Sequence, residues 1–405
     1  MTTVNRNNNA ISPAANLLLA VTRYSLGTIN HNDLAISCKQ TIDWVVFNDL
    51  VRHHRLASLI HDKLGDSTED LFPESTNKML KQRHKTNAMA NLLLSAKAIE
   101  IFGVFQNKEI PVLLIKGLSV EQWLYDKPGL RSSGDIDLLI NHDDCSKALT
   151  CLLAMGYELV YLSDRLIPES QLCKQFIRTQ KDFVFVHNTS KVVIELHWRV
   201  AIPHSAFPMI FDDAWSTRST FSIAGKSLQT LPQNMHATYL CYHGTKHYWS
   251  RLFWLYDVAK LMLIKGTDWQ SIFSQAQHLK AEASVGLALV LASKIFLVPI
   301  PEIATQHNHV IEAGEQLSNH LYFNILTDIP DQPLHDHLTL ESVRQQRSWN
   351  NSIHSSKNHH LIEWLNYVFS PGINDWQSLK LPDSLTPLYR IWRPIRLASK
   401  ALLRI

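Results

Sequence analysis

Two aspartates one residue apart, Asp135 and Asp137, stand inside the apolar run DIDLLI (residues 135–140), a setting in which carboxylates are rarely buried unless paired or bound to a metal. The run reads as a strand. Side chains two apart on a strand share a face, so both carboxylates project together while Ile136 and Leu138 turn to the core. Like charges so close repel, and a divalent cation removes the repulsion; hard oxygen ligands suit Mg²⁺. In VVIELHW (192–198) the same parity sets Glu195 and His197 on one face and Ile194, Leu196 and Trp198 on the other. With that strand beside the first, Glu195 becomes a third carboxylate, and three acids holding two metal ions form a clamp for in-line phosphoryl or nucleotidyl displacement. His197 then orients Glu195 or an acceptor hydroxyl.

The preceding segment adds groups suited to phosphate. VLLIKG (112–117) ends in Lys116-Gly117 where the helix LSVEQWLY begins, and a strand running into a Gly-led helix start offers backbone N–H groups to an anion. Arg131, four residues before Asp135, adds a bidentate donor for the same phosphates. Farther on, His243 and His247 are four apart and share a helical face, but Gly244 and Thr245 follow His243 where a His-Glu-X-X-His zinc motif would carry its glutamate. These two histidines are expected to hydrogen-bond near Asp257, with Trp249, Phe253 and Trp254 in the core.

The elements that must position these residues follow from periodicity. Helical spacing of apolar residues runs through residues 13–110, with helix-start chemistry at Ser67-Thr68 before Glu69-Asp70 and at Glu74-Ser75-Thr76 after Pro73. From Pro111 short β-like runs appear at 112–116, 135–140, 157–162, 182–187 and 191–198, with helices after the first two and a hairpin turn at Asn188-Thr189-Ser190. The expected fold is α+β, a small mixed sheet with flanking helices. Its expected divisions are an N-terminal helical region (1–110), an α/β core (111–230) and a C-terminal helical region (231–405).

With 405 residues, 45% of them hydrophobic and 19% charged, the chain can bury a large core. A net charge of +3, with no clustered basic run before the C-terminus, gives no strong nucleic-acid signature. Five cysteines, none in a CxxC pair, fit neither a disulfide framework nor a zinc site of known spacing, and a reducing cytoplasm is the expected location. The run ASVGLALVLASKIFLVPI is interrupted by Lys294 and ended by Pro299, short of the roughly 20 apolar residues of a membrane span, and reads as a core helix. No transmembrane segment is expected. The tail PLYRIWRPIRLASKALLRI has Arg390, Arg393, Arg396, Lys400 and Arg404 among apolar residues, a pattern compatible with peripheral membrane contact, but Pro394 interrupts it and packing onto a helical lobe is the expected fate.

Taken together, Lys116-Gly117, Tyr125-Asp126-Lys127-Pro128-Gly129-Leu130-Arg131 and Asp135 to Leu139 resemble the bacterial uncharacterised nucleotidyltransferase family of the nucleotidyltransferase superfamily. Glu195-Leu196-His197-Trp198, His243 with His247, Trp254 with Asp257, and Leu381-Pro382, Tyr389 and Arg393-Pro394 extend the likeness across roughly residues 40–400. The resemblance implies an Mg²⁺-dependent enzyme that moves an NMP from an NTP, such as ATP, to an acceptor hydroxyl with release of pyrophosphate. Asp135, Asp137 and Glu195 would be catalytic and metal-binding, Lys116, Gly117, Ser119 and Arg131 would hold the nucleotide, and His197, His243, His247 and Asp257 would orient the site. Two departures stand out: Lys116-Gly117 occupies the place of the superfamily's Gly-Ser, with Ser119 two residues later, and Glu195 replaces the commoner Asp. The altered Gly-Ser also leaves open a nucleotide-binding regulator without turnover, and a third alternative is a toxin-like enzyme acting on tRNA or protein.

Overall fold

The computed structural model describes residues 11–65, 71–125, 127–201, 207–327, 349, 365–366 and 368–402. The helix start read at Ser67-Thr68, Asp126 of the Tyr-X-X-Pro motif, and Arg404 of the tail lie outside them. The chain forms two compact units whose segments interleave: unit 1 comprises Met1–Asn91, Val120–Ser132 and Asn234–Asp336, and unit 2 comprises Leu92–Ser119, Ser133–Gln233 and His337–Ile405. The stretch 111–230 falls in unit 2 except for Val120–Ser132, and the last segment of the chain also belongs to unit 2.

Unit 2 is built on a seven-stranded mixed sheet of order β3-β4-β5-β2-β1-β7-β6. The strands are β1 (Val112–Leu114), β2 (Asp135–Ile140), β3 (Tyr157–Leu159), β4 (Asp182–His187), β5 (Val193–His197), β6 (Ser219–Ile223) and β7 (Lys226–Thr230). The fold class expected from the sequence, α+β around a mixed sheet, is the one observed. The last two strands have no counterpart in the sequence reading. They form a hairpin whose two-residue turn, Ala224-Gly225, has φ of 48° and 74°. Such a turn needs positive φ at both positions, and Ala in the first place of the usual Asn or Gly hides it.

One face of the sheet is a continuous apolar core. Val112 and Leu114 of β1, Ile136, Leu138 and Ile140 of β2, Ile194 and Leu196 of β5 and Phe183 and Phe185 of β4 are buried in it, together with Leu149 of α7 (Cys145–Ala154) and Phe176 of α8 (Gln171–Thr179). The second half of α5 (Glu74–Asn107) adds Leu94, Ala98, Ile101 and Phe105. Trp376 of α15 (Ile373–Ser378) and Tyr389 of α16 (Tyr389–Leu402) complete it, both with no exposed surface. Arg165 fixes these late residues by donating to the Trp376 and Leu381 carbonyls at 2.6 and 2.9 Å. Asp383 accepts the first two N–H groups of α8, from Gln171 and Leu172, while Ser170 accepts a third from Cys173. The helix start is thereby satisfied by side chains. The basic tail packs in the same unit: Arg393 and Arg396 pair with the fully buried Asp375 at 2.6 and 2.5 Å.

Unit 1 is helical. Its first helix, α1 (Pro13–Leu26), has Ser12 capping the N-terminus, proline at the first turn and Gly27 in the left-handed conformation at its end. The expected core helix is α13 (Glu282–Phe296), buried from Ser284 to Ala292. Among the described residues α5 alone is long and apolar enough to cross a membrane by length and composition. All five cysteines are unpaired.

One buried histidine gives unit 1 an acid-sensitive joint. His54, at the end of α3 (Trp44–His53), accepts through Nδ1 the N–H of Leu252, the first residue of α11 (Leu252–Leu263), at 3.1 Å. Burial, with the charges of its neighbours, lowers its pKa to about 3. The folded chain keeps this ring neutral while the unfolded chain protonates it near pH 6.5, so stability is full above that pH and is lost as pH falls toward 3. Between pH 7.5 and 5 the loss from this group is about 2 kcal/mol. In urea unfolding at several pH values, the acid-induced drop in stability is expected to shrink by that amount in His54→Asn, whose amide oxygen still accepts from Leu252.

Candidate functional site

The face of the sheet opposite the apolar core carries the acids. β2 and β5 run parallel with Asp137 directly opposite Glu195, Asp135 opposite Val193, and Leu139 opposite His197. Paired residues in a ladder point the same way, so Asp137 and Glu195 share this face with His197 one step farther along β5. Asp137 is only 3% exposed, Glu195 29%, and Asp135 is half-buried at the mouth of β2. The alternation that buries Ile136, Leu138, Ile194 and Leu196 in the core thus brings two carboxylates from distant segments together.

Three further groups surround the pair. His197 places Nε2 at 3.3 Å from Asp137 Oδ1 and 3.2 Å from Glu195 Oε2, in contact with both, while its Nδ1 lies 3.5 Å from Asp182 Oδ2 on β4. Lys116, following β1, sets its ammonium 2.5 Å from Asp137 Oδ1, and Lys181 contacts Asp182. Burial pushes the Asp137 carboxyl upward, but Lys116 and His197 outweigh it and hold the group well below the usual carboxylate range. His197 is opposite in sign: burial lowers it, and its bonds to Asp137 and Glu195 raise it above its ordinary value. At neutral pH Asp137 is therefore a carboxylate held by the Lys116 ammonium and by its contact with His197.

Gly117 explains how Lys116 reaches this position. Its φ of +58° turns the chain sharply after β1, and a Cβ there would come 3.4 Å from Ser133 Oγ and 3.6 Å from the Asp135 carbonyl. The turn therefore presses against the segment entering β2. Ser133, 8% exposed, has an Oγ without a hydrogen-bond partner, a buried hydroxyl able to bond a water or a ligand at this turn. The sequence reading missed it, because nothing in RSSGDID distinguishes Ser133 from an ordinary loop serine.

The other expected site residues make the following contacts. Ser119 in α6 (Leu118–Leu124) is 2% exposed and donates its hydroxyl proton to the Lys116 and Leu114 carbonyls, at 3.1 and 3.4 Å. Arg131, expected to hold phosphate, is 5% exposed within unit 1, and its Nε donates to the fully buried Asp257 Oδ2 at 2.9 Å. Tyr125 donates to Asp257 Oδ1 at 2.6 Å, and Glu121 accepts from the Arg131 and Gly129 N–H groups and from Asn91, each at 2.9 Å. The Tyr-X-X-Pro-X-X-Arg motif thus builds a buried network in unit 1. Asp257 belongs to that network rather than to a pair with His243 or His247.

Those two histidines are half-buried in unit 1 with ring centroids 4.6 Å apart, and Trp254 sits 5.1 and 5.6 Å from them. The glycine between them has a packing reason. A Cβ on Gly244 would lie 2.3 Å from the ring of Trp249, which is fully buried against α10 (Gln233–Lys246).

Among the described residues one cluster has the donor spacing for a metal: Asp137, Glu195 and His197 offer ligand atoms all within 4.8 Å of one another. Two carboxylates and an imidazole suit one divalent ion, with the oxygens favouring Mg²⁺ or Mn²⁺. Asp135 lies outside this group of three. The family model described as uncharacterised nucleotidyltransferase matches residues 40–297, which contain every residue of this site. No curated protein and no solved structure matches the chain.

Proposed function

The chain belongs to the uncharacterised nucleotidyltransferase family, and we propose on that premise that it moves an NMP from an NTP to an acceptor hydroxyl with the help of a divalent cation. The observation that supports this reading most is the parallel register that sets Asp137 beside Glu195, with the Lys116 ammonium against Asp137. Asp137 and Glu195 hold the cation, and Asp135, on the same face, completes the acid set if a second ion binds. The chemistry a divalent cation supplies there is neutralisation of the triphosphate and polarisation of the α-phosphate.

The chain's own groups do the rest. Lys116, the Ser133 hydroxyl and the backbone at Gly117 receive the triphosphate, and His197 donates to Asp137 and Glu195 to fix their orientation. Glu195, the more exposed of the two acids, takes the proton of the acceptor hydroxyl as its oxygen bonds to the α-phosphorus. The bond to the bridging oxygen breaks and pyrophosphate leaves. Reducing conditions of the cytoplasm would suit the five unpaired cysteines.

Incubation with each α-labelled NTP and Mg²⁺ or Mn²⁺, over RNA, protein and small-molecule acceptors, is expected to give a labelled product and an equal amount of pyrophosphate. Tight NTP binding with no pyrophosphate from any acceptor would overturn transfer in favour of a regulator.

A further inference from the structure

The position of Lys116 bears on how this site takes up its ligands. Its ammonium lies 2.5 Å from Asp137 Oδ1, the same oxygen that His197 Nε2 approaches at 3.3 Å. Asp137 is 3% exposed and the lysine side chain 14%, so this charge pair is largely withdrawn from solvent. A divalent ion arriving at that carboxylate meets a resident positive charge in surroundings that screen it poorly. Lysine, unlike arginine, is a compact point charge on a flexible four-carbon stem and can exchange one anion for another. Its backbone stands just before the Gly117 turn, whose near neighbour Ser133 has the unpartnered buried hydroxyl. The same stem can therefore reach a phosphate seated at that turn.

We propose that Lys116 is an exchangeable counter-ion: without nucleotide its ammonium holds Asp137 against a divalent cation, and an incoming triphosphate draws it away, so that cation and nucleotide bind as a coupled pair. The idea rests on Asp137 and Glu195 being the cation ligands, as proposed above. Removing the ammonium should strengthen metal binding to the nucleotide-free protein, whereas loss of a lysine that only binds phosphate or only supports the fold would leave it unchanged or weaken it.

The test is Mn²⁺ titration of the full-length protein without nucleotide, with unbound Mn²⁺ read by electron paramagnetic resonance. Lys116→Met is expected to bind Mn²⁺ on the order of tenfold tighter than the wild type, in the usual range of coupling between sites. Lys116→Gln, which keeps a hydrogen-bond donor near Asp137 without the charge, should shift the same way and guards against misfolding of the first variant. Lys116→Arg, which keeps the charge, should stay near the wild-type affinity. If Lys116→Met and Lys116→Gln bind no tighter than the wild type while Asp137→Asn abolishes binding, the counter-ion proposal fails and the metal assignment stands. If Asp137→Asn leaves Mn²⁺ binding intact, the metal assignment fails, and the counter-ion proposal with it.

Discussion

Replacing Asp137 with Asn is expected to lower nucleotidyl transfer on the order of a thousandfold or more, with the protein still folded. Asn keeps the volume and accepts hydrogen bonds as Asp does, but it brings no negative charge to a cation, and charge stabilisation at the reacting phosphate is the main thing such a site supplies. The fold should survive because Lys116 retains 14% exposure and can turn its ammonium to water once its partner is neutral. Circular dichroism melting should show one cooperative transition, and pyrophosphate release should fall to background. Retention of even a tenth of wild-type activity would remove Asp137 from the reaction. His197→Ala, which leaves both acids and removes their shared donor, should cost roughly 10–100-fold, as losses of groups that orient a metal ligand do.

The second large effect concerns stability. Arg131→Met should destabilise the protein by about 3–5 kcal/mol, because it strands a carboxylate with no exposed surface. Burial already pushes the Asp257 carboxyl above its ordinary range, and Arg131 and Tyr125 pull it back. Without the arginine the acid should rise further and take up a proton. An acid whose folded pKa is raised binds more protons folded than unfolded, so this variant should lose stability as pH rises from about 4 toward neutrality. Urea unfolding at pH 5 and pH 7.5 would measure it. Pairing the substitution with Asp257→Asn should restore part of the loss, since neither partner is then a stranded charge. A variant as stable as the wild type at both pH values would mean that the pair contributes nothing.

Both predictions also mark what the sequence makes legible. Strand periodicity alone carries DIDLLI and VVIELHW to their observed elements, and parity fixes which face each acid takes. Local pattern also accounts for Gly117, read as the start of the helix that follows β1 and observed just before Leu118, where that helix begins. What local pattern does not show depends on distant partners. Arg131 lies four residues from Asp135 but pairs with Asp257, 126 residues along the chain, and no local rule foretells that. Tyr389 belongs to the tail expected to pack on a helical lobe, yet it is buried with Trp376 in the core of the sheet. Ser133 differs from any loop serine only through the Gly117 turn pressed against it, and β6 and β7 were hidden by an Ala-Gly turn and a largely polar, exposed hairpin.

The interleaving of the chain has a consequence for how the protein is made. The core behind Asp137 and Glu195 is closed by Trp376 and Tyr389 and by Arg165, which reaches the carbonyls of Trp376 and Leu381. A ribosome that has delivered β1 to β7 has therefore not yet delivered the side chains that seal the sheet. The acid-bearing unit can reach its final packing only once residues 376–389 have been made. A nonsense mutation shortly before Trp376, far along the chain from either acid, should thus damage the site as surely as a change beside it.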